Sequence, residues 1–418
     1  MSGLEVTSFW RPYGLRRDPF FQEELKASPE AEFPVQILFV GRQGELSRIG
    51  RAIGGSDPSR TIVKGEAGVG KTSFVNALKA DVAVRGLLVH EHPIRIDASS
   101  TPDRLLAEVL RILVRTHGLA GGKDSDFWKS AARLVEGGMR TSGGVSIAGT
   151  GVQVQREHRA PEIGHGSLLD RVGEALVRLR DEIAPILLHV NNLENLGLDA
   201  AGHAATLMQT VRDVFAYPGA HWLMVGTTGI EEAVFRNTDQ VSGFFPHAVV
   251  LQPLTTGEIR EVMERRYDHL RIQGSMVVAP VETEAVGELY DRYHGDLRNF
   301  LRLLSEASNL LLGINGVEPL TEAKILRTMS QEYRHRVVRQ LTGDDVRYLE
   351  TLAREGGSLP GGFRVTEVKQ WLEVSQAGAS GIVDRLLAAR MLVQVGRTGK
   401  SIYYQLTGAA SIATQPVA

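Results

Sequence analysis

The segment from Gly65 to Thr72, Gly-Glu-Ala-Gly-Val-Gly-Lys-Thr, matches the full G-x-x-x-x-G-K-[ST] pattern of a phosphate-binding P-loop. Its glycines let the backbone curl so that successive N–H groups, helped by the N-terminus of the next helix, face phosphate oxygens. We expect Lys71 to reach the β and γ phosphates and the Thr72 hydroxyl to bind Mg²⁺. The predicted cofactors are ATP and magnesium, and the predicted cradle comprises Gly65, Glu66, Ala67, Gly68, Val69, Gly70, Lys71, Thr72 and Ser73.

A P-loop ATPase also needs a carboxylate at the end of a neighbouring strand, to hold the magnesium shell and polarise water. The apolar run 186–190 is the only good candidate strand, and it is followed by Asn191 and Asn192 where two acids would be expected. An amide oxygen can bind a metal weakly but cannot act as a base. We expect Asn191 to join the metal shell and Asn192 to orient water. Glu194 either supplies the missing carboxylate or is only a loop acid, so these residues predict nucleotide binding and leave turnover open.

Two further segments carry polar residues that could respond to the γ-phosphate. The apolar run 222–225 ends in Gly-Thr-Thr, which would bring Thr227 or Thr228 between the P-loop and the second motif. Gly295-Asp-Leu-Arg298 starts a helix from which Arg298 could reach the γ-phosphate through a charge-assisted contact. Taken alone, these patterns also fit an ordinary loop and a solvated helix arginine.

Alternating strands and helices are expected to position these motifs. The short β-branched run 60–64 precedes the P-loop, and strands are also predicted at 87–96, 186–190 and 222–225. Such alternation predicts an α/β fold with a parallel sheet covered on both faces. The helices between them are predicted at 45–49, 73–79, 102–116, 167–183 and 204–216.

The glycine-rich stretch 121–166 interrupts this alternation. Residues 145–155 show a weak period of two, which predicts an inserted loop or β-hairpin at the edge of the sheet. The insertion is either a plain surface feature or a finger that contacts a partner or DNA.

The chain after residue 251 turns helical. Helices predicted at 256–270, 281–293, 297–312 and 322–341 are not separated by strands, so they resemble a helical lid. A third unit has helices at 344–355, 366–372 and 376–390, then two alternating strands over 392–406 around the turn Gly396–Gly399, which is the winged-helix arrangement. The predicted units are an N-terminal arm (1–33), the P-loop domain (34–252), the lid (253–341), the winged helix (342–408) and a frayed tail (409–418).

Composition narrows the classes of function. The 418 residues carry a formal net charge of −2, so any DNA contact must come from a local patch. The chain has no cysteine, which excludes disulfides and thiolate chemistry. Neither a signal peptide nor a run of ~18 apolar residues is present, which predicts a cytoplasmic protein that does not contact a membrane.

Taken in order, these motifs resemble the origin-recognition-complex-like AAA+ ATPases, related to bacterial STAND-type ATPases and transposition regulators. The resemblance spans about residues 34–406, from a Phe-Val-Gly-Arg box through the P-loop, the strand ending in Thr-Thr and Gly-Asp-Leu-Arg to the winged helix. It implies adenine contacts by Val40, Gly41 and Arg42, sensor roles for Thr227 or Thr228 and for Arg298, and homo-oligomers in which one subunit's arginine completes the next subunit's site.

The chain departs from this family in two respects. The paired acids of the family are Asn191 and Asn192 here, which argues against fast hydrolysis. The segment 241–245, where the trans-acting arginine is expected, contains none. Arg236 is the closest substitute, and it could equally be a surface arginine at the end of a helix.

The winged helix suggests binding to double-stranded DNA. The segment from residue 342 onward contains eight Lys or Arg and seven acids, and the segment from residue 363 onward contains six and three. The positive charge is therefore concentrated in the helix–wing half. A winged helix can also bind proteins. The candidate DNA-contacting residues are Ser375, Gln376, Ser380 and Arg385 of the recognition helix, with Arg397 and Lys400 of the wing.

These observations favour a nucleotide switch with slow ATP hydrolysis that couples ATP binding to assembly and DNA binding. One alternative is an ATP-regulated adaptor of a bacterial defence or signalling system, whose winged helix and insertion hold a protein effector. Another is an active remodelling ATPase, against which the asparagine pair argues.

Overall fold

A computed structural model describes residues 8–97, 99–136, 165–191, 193, 207–228, 245–312, 317–357, 359, 361–398 and 401–415. The predicted α/β fold class is confirmed: a parallel sheet carries the P-loop, and helices followed by a winged helix complete the chain.

The sheet has the order β2-β4-β5-β1-β6, with β3 also paired to β4, and all of these pairings are parallel. The central strands are apolar and buried, as expected for a parallel sheet that is covered on both faces. The strands are β1 (Arg60–Lys64), β2 (Leu88–Val89), β3 (Ile94–Arg95), β4 (Ile186–Asn191), β5 (Ala220–Gly226) and β6 (His247–Val250).

Helices cover the two faces of the sheet and form separate cores. On one face, Ile49, Phe74 and Val75 pack against Leu187 and Leu223. On the other face, helices pack against the remaining strand residues, Trp222 among them. The helices of this part are α1 (Val35–Leu38), α2 (Gln43–Gly55), α3 (Lys71–Val84), α4 (Pro102–Leu119), α5 (Asp126–Glu136) and α6 (His165–Glu182).

Several predictions for this part need correction. The first third of the insertion 121–166 is not a loop, because α5 buries Phe127 and Trp128 against α4 and α6. The predicted hairpin at 145–155 lies outside the described residues. The run 87–96 forms two short strands instead of one, β6 was not predicted, and a 3₁₀ helix occupies Arg212–Ala216 at the end of the helix predicted for 204–216.

The helices after the sheet confirm the helical prediction for 256–341. The first begins with a capping box in which Thr255 and Glu258 satisfy each other's backbone N–H groups. The third begins at Asp296, whose side chain accepts a hydrogen bond from the Asn299 backbone. They are α7 (Thr256–Leu270), α8 (Thr283–Arg292), α9 (Leu297–Leu311) and α10 (Glu322–Gln340), and we call them the lid.

The C-terminal unit has the predicted three helices and antiparallel hairpin. Residues 396–398 belong to the first strand instead of a turn, since Thr398 pairs with Ser401. The prediction of a frayed tail is wrong: a last helix buries Ala410, Ile412 and Ala413 and packs on α10. The elements are α11 (Gly343–Gly356), α12 (Val365–Leu372), α13 (Gln376–Ala388), β7 (Leu392–Thr398), β8 (Ser401–Leu406) and α14 (Gly408–Ala413).

The N-terminal arm packs mainly on the lid, and it also contacts α3 of the sheet domain, where the Asn76 side chain donates to the Leu25 carbonyl over 2.7 Å. The Arg16 N–H donates to the Leu270 carbonyl over 2.9 Å, and the Ile272 N–H donates to the Gly14 carbonyl over 2.8 Å. The arm, the lid and the winged helix share one hydrophobic core, which is distinct from the two cores of the sheet. Among the described residues, no helix combines the length and the apolar character that crossing a membrane requires.

Candidate nucleotide site and DNA-binding face

A cavity of about 310 Å³ lies where the arm, the sheet domain and the lid meet. The walls are mainly apolar on the lid side and polar on the P-loop side, and the arm adds Gln22, Glu23 and Glu24 beside Leu25. This division suits a ligand with one flat apolar end and one anionic end. The lining residues are Gln22–Leu25, Leu38–Val40, Arg42, Ala67–Ser73, Asn191, Thr227, Leu254, Val262, Arg266, Leu297, Arg298 and Leu301.

The P-loop connects β1 to α3, whose first residue is Lys71. Gly68 and Gly70 have φ values of +79° and +94°, a region that L-residues adopt only with strain. A Cβ on Gly65 would lie 2.9 Å from the Leu251 carbonyl oxygen, so this position also requires glycine. The Lys71 Nζ donates to the carbonyls of Gly65 (2.7 Å) and Glu66 (3.0 Å). These residues form the glycine cradle that a chain of phosphates fits.

The order of the strands brings the second motif and the Thr-Thr strand to the same edge as the P-loop. The strand that ends in Asn191 is separated from the P-loop strand by β5, which leads into Thr227. Asn191 and Thr227 both line the cavity. Carboxyl ends of parallel strands meet at one edge, where open α/β sheets place their ligands.

The remaining predicted site residues differ in position. Gly41, Gly65, Glu66 and Thr228 are described but do not line the cavity. Asn192, Glu194 and Arg236 lie outside the described residues. Within the described part of the chain, no group of three His, Asp or Glu side chains is arranged to hold a metal ion. Thr72 and Asn191 line the cavity and could bind a magnesium ion together with phosphate oxygens and water.

Two acidic side chains of the lid touch two glycines of the sheet domain. A Cβ on Gly68 would lie 1.9 Å from Oδ1 of Asp296, and a Cβ on Gly41 would lie 2.2 Å from Oε1 of Glu258. Both acids cap the first turn of a lid helix. The lid is thus held against the P-loop through contacts that only glycine permits, and Arg298 follows two residues after one of them.

We expect Gly68→Ala to weaken ATP binding at least about tenfold, because the new methyl group would push Asp296 and the lid away from the cavity. The positive φ adds about 1–2 kcal/mol of strain, which lowers the free energy of unfolding. Calorimetric titration and urea denaturation measure the two effects. Gly44→Ala on α2 is the matched control, since no atom lies within 4 Å of its added Cβ. Wild-type ATP affinity in Gly68→Ala would contradict this role of the contact.

Two buried arginines hold parts of the site together. The Arg42 guanidinium donates to the Val69 carbonyl over 2.7 Å, and burial lowers its pKa. Arg266 donates to the carbonyls of Pro19 and Phe21 at 2.9 and 2.8 Å and lies 3.9 Å above the Phe21 ring. Burial lowers the pKa of Arg266 to about 10, so it remains charged at neutral pH. Arg266 thereby fixes the arm next to the segment that lines the cavity.

A buried polar pair lies beneath the site, between α3 and β4. Lys79 donates to the carbonyls of His90 and Glu91, and burial lowers its pKa to about 8. Burial, with a smaller contribution from the charge of Lys79, lowers the pKa of His189 to about 3, so the imidazole is neutral. Within the described residues, neither ring nitrogen of His189 has a hydrogen-bond partner. His189 lies two residues before Asn191 on the same strand.

The predicted recognition helix is α13, and its residues differ in their availability for DNA. Ser375 caps the helix by accepting from the Gly378 N–H over 3.1 Å, while Gln376 and Ser380 are exposed. Arg385 is engaged within the unit, because its guanidinium donates to Asp345 over 2.7 Å and holds the pKa of that buried carboxyl below its usual range. Arg397 pairs with Ile402 through the backbone of the hairpin, and Lys400 lies outside the described residues.

No protein-family profile matches the chain. It is 21% identical to an uncharacterised HTH-type transcriptional regulator of Methanocaldococcus jannaschii over 92% of this chain and 91% of that protein.

Several solved structures of archaeal proteins are similar to the chain. The ORC2 protein of Aeropyrum pernix, solved as ADPNP–ADP complexes, is 15% identical to the chain. The similarity covers 95% of this chain and 96% of that protein, with a TM-score of 0.49. The ORC1 protein of the same organism, solved in complex with DNA, is 17% identical. The similarity covers 93% of this chain and 94% of that protein, with a TM-score of 0.45. Cdc6p of Pyrobaculum aerophilum is 14% identical to the chain. The similarity covers 93% of this chain and 95% of that protein, with a TM-score of 0.44. Since these TM-scores are below 0.5, the fold class rests on the topology of the chain itself.

Proposed function

We propose that the protein binds ATP with Mg²⁺ in the cavity between the P-loop and the lid, and that the bound nucleotide controls DNA binding by the winged helix. The observation that carries this proposal is the convergence of Lys71, Thr72, Asn191, Thr227 and Arg298 on one cavity. Four segments far apart in the sequence supply these side chains, and each was a candidate for a phosphate or metal contact on its own.

The residues around the cavity fit ATP in both of its parts. The apolar side chains of Val40, Leu254 and Leu301 suit a purine base, while the N–H groups from Gly68 to Thr72 suit the phosphates. Lys71 would neutralise phosphate charge, Thr72 and Asn191 would contribute to the metal shell, and Thr227 and Arg298 would contact the γ-phosphate. Mg²⁺, when bound, supplies the charge that draws the phosphate oxygens together.

The packing of the lid supports a route from the nucleotide to the winged helix. Arg298 belongs to α9, which shares one hydrophobic core with the arm and the winged helix. A shift of the lid toward the phosphates would therefore carry the winged helix with it, since packed cores move as units. In this proposal ATP closes the lid and also favours assembly of a homo-oligomer, to which Arg236 contributes from a neighbouring subunit.

The proposed DNA ligand is a duplex that meets the N-terminus of α13 and the wing. Gln376 and Ser380 are exposed polar residues that can reach base edges, and Arg397 and Lys400 can contact phosphates. The relative in Methanocaldococcus jannaschii carries an HTH-type regulator name, which agrees with this partner. Arg385 pairs with Asp345 but its side chain remains about half exposed, so it stays a candidate for a DNA contact.

We expect the double variant Arg397→Ala with Lys400→Ala to weaken binding to all duplex sequences. The slope of log affinity against log salt concentration should flatten by up to ~2, since each lost phosphate contact removes about 0.9. Fluorescence anisotropy with duplex DNA between 50 and 200 mM salt, with and without ATP and Mg²⁺, measures the slope.

Arg354→Ala with Lys369→Ala is the matched control on the same unit, because it removes the same charge from α11 and α12. An unchanged salt dependence in the wing variant would move the assignment to the adaptor function, in which the exposed face of α13 holds a protein effector. A wild-type protein that ignores DNA in every nucleotide state would also favour the adaptor.

A further inference from the structure

The last lid helix, α10, carries an exposed cationic face. Five Lys or Arg and two acids occur between Glu322 and Gln340, in a chain whose overall net charge is −2. At 3.6 residues per turn, the exposed residues of this face span an arc of roughly 140° opposite the buried side. The buried side is formed by Ile325, Met329, Tyr333 and Val337, and the exposed cationic face by Lys324, Arg327, Arg334 and Arg339, with His335 among them. Arg336 lies outside this arc and pairs with Glu306.

Most of these cations have no role in holding the fold together. Arg334 forms an exposed ion pair with Glu350 over 2.8 Å, and such a pair contributes little to stability. Within the described residues, the side chains of Lys324, Arg327, His335 and Arg339 have no hydrogen bond or ion pair.

Helix stability explains the position of only one of these charges. Arg339 lies in the last turn of α10, where the helix dipole favours a cation, whereas Lys324 lies in the first turn, where the dipole disfavours one. Lys324 and Arg327 are three residues apart, so these two neighbours carry like charges, and Glu332 is the acid of this helix that lies beside the face. A surface that served only to be solvated would gain from alternating charges, which this face lacks.

We propose that the cationic face of α10 is a second DNA-contacting surface, which binds the phosphate backbone of the same duplex that the winged helix binds. This inference rests on the proposed function. The face is a row of about 22 Å from Lys324 to Arg339, at 1.5 Å per residue, and duplex DNA presents one negative charge per ~1.7 Å of its axis.

The packing of α10 ties this face to the winged helix. The helix α14 packs on α10, and Thr342, which caps α11, follows α10 after a single residue. The lid and winged helix also share one core. The two surfaces therefore move together, and a lid position set by the nucleotide decides whether one duplex can touch both.

The test compares the double variant that carries Arg327→Gln and Arg339→Gln with the wild-type protein. Binding to duplex DNA is measured in the presence of ATP and Mg²⁺. We expect the salt slope to fall by about 1.8, which corresponds to roughly 60-fold weaker binding at 0.1 M salt. When these substitutions are combined with Arg397→Ala and Lys400→Ala, the losses of binding free energy should add, since the two surfaces share no side chains. The matched control is Arg48→Gln with Arg51→Gln, two exposed arginines on α2 of the sheet domain.

The outcomes separate this inference from the proposed function. A reduced slope in the α10 variant together with an unaffected wing variant supports the second surface while removing the wing assignment. A reduced slope in the wing variant with wild-type behaviour of the α10 variant overturns the inference alone. An equal loss of binding in the α2 control would show that the effect comes from the overall charge of the protein, and it would overturn the inference. A loss of binding seen with single-stranded RNA and not with duplex DNA would also overturn it. Absence of any DNA binding by wild type overturns both proposals.

Discussion

Lys71→Ala is expected to abolish ATP binding, with a loss of affinity of at least about a hundredfold. Lys71 is the only cation within the P-loop sequence, and its Nζ already lies beside the carbonyls of Gly65 and Glu66. A hydrogen bond to a charged group contributes about 1.5–3 kcal/mol, and a lysine between two phosphates makes more than one. The remaining backbone N–H groups cannot replace this charge.

Isothermal titration of ATP with Mg²⁺ measures this loss, and thermal unfolding without nucleotide shows whether the variant is folded. Lys369→Ala removes a lysine from the exposed side of the winged helix and should leave ATP affinity unchanged. In wild type, saturating ATP should raise the melting temperature because it binds only the folded state. A folded Lys71→Ala variant with wild-type ATP affinity would refute the assigned site.

The parts of the site that the sequence predicts are those encoded locally. The P-loop, the strand before it and the helix after it lie within 25 residues, so their spacing alone indicates the geometry. The contribution of Gln22–Leu25 could not be predicted in this way. It depends on Arg266, which holds Pro19 and Phe21 from a helix more than 240 residues further along the chain, and on Asn76 of α3, which donates to the Leu25 carbonyl over 2.7 Å. The aromatic and proline residues of the arm indicate order, but not the surface on which the arm packs.

The same distinction explains the errors in the fold. The last helix consists of small residues, Gly-Ala-Ala-Ser-Ile-Ala, and it becomes a core element only because α10 offers a surface for it. The helix α5 has a clear apolar face, but its glycine-rich surroundings concealed the period. The ion pair of Arg385 with Asp345 was not predicted, because the two residues lie 40 apart in the sequence. Tertiary contacts decided all three cases.

The slow hydrolysis expected from the sequence depends on residues at the end of β4. A water attacking the γ-phosphate must be oriented, and the developing charge must be neutralised by magnesium, Lys71 and an arginine. Asn191 lines the cavity at the end of its strand and can orient water, but an amide cannot take a proton. The buried imidazole of His189 is neutral, since its pKa is about 3, and it lies two residues away on the same strand. The predicted behaviour is a long-lived ATP-bound switch.

We therefore expect magnesium-dependent ATP binding with turnover below about one per second, the lower end of typical enzyme rates. Asn191→Asp with Asn192→Glu should raise turnover, because it restores a metal-binding carboxylate and a base at the end of β4. Glu194→Gln should abolish the activity that remains, whereas Glu45→Gln on α2 serves as a control that leaves it unchanged. Phosphate release under saturating ATP measures all four proteins. Wild-type turnover of several per second that is indifferent to Glu194→Gln would mean that the catalytic carboxylate comes from another segment and that the second motif is misassigned.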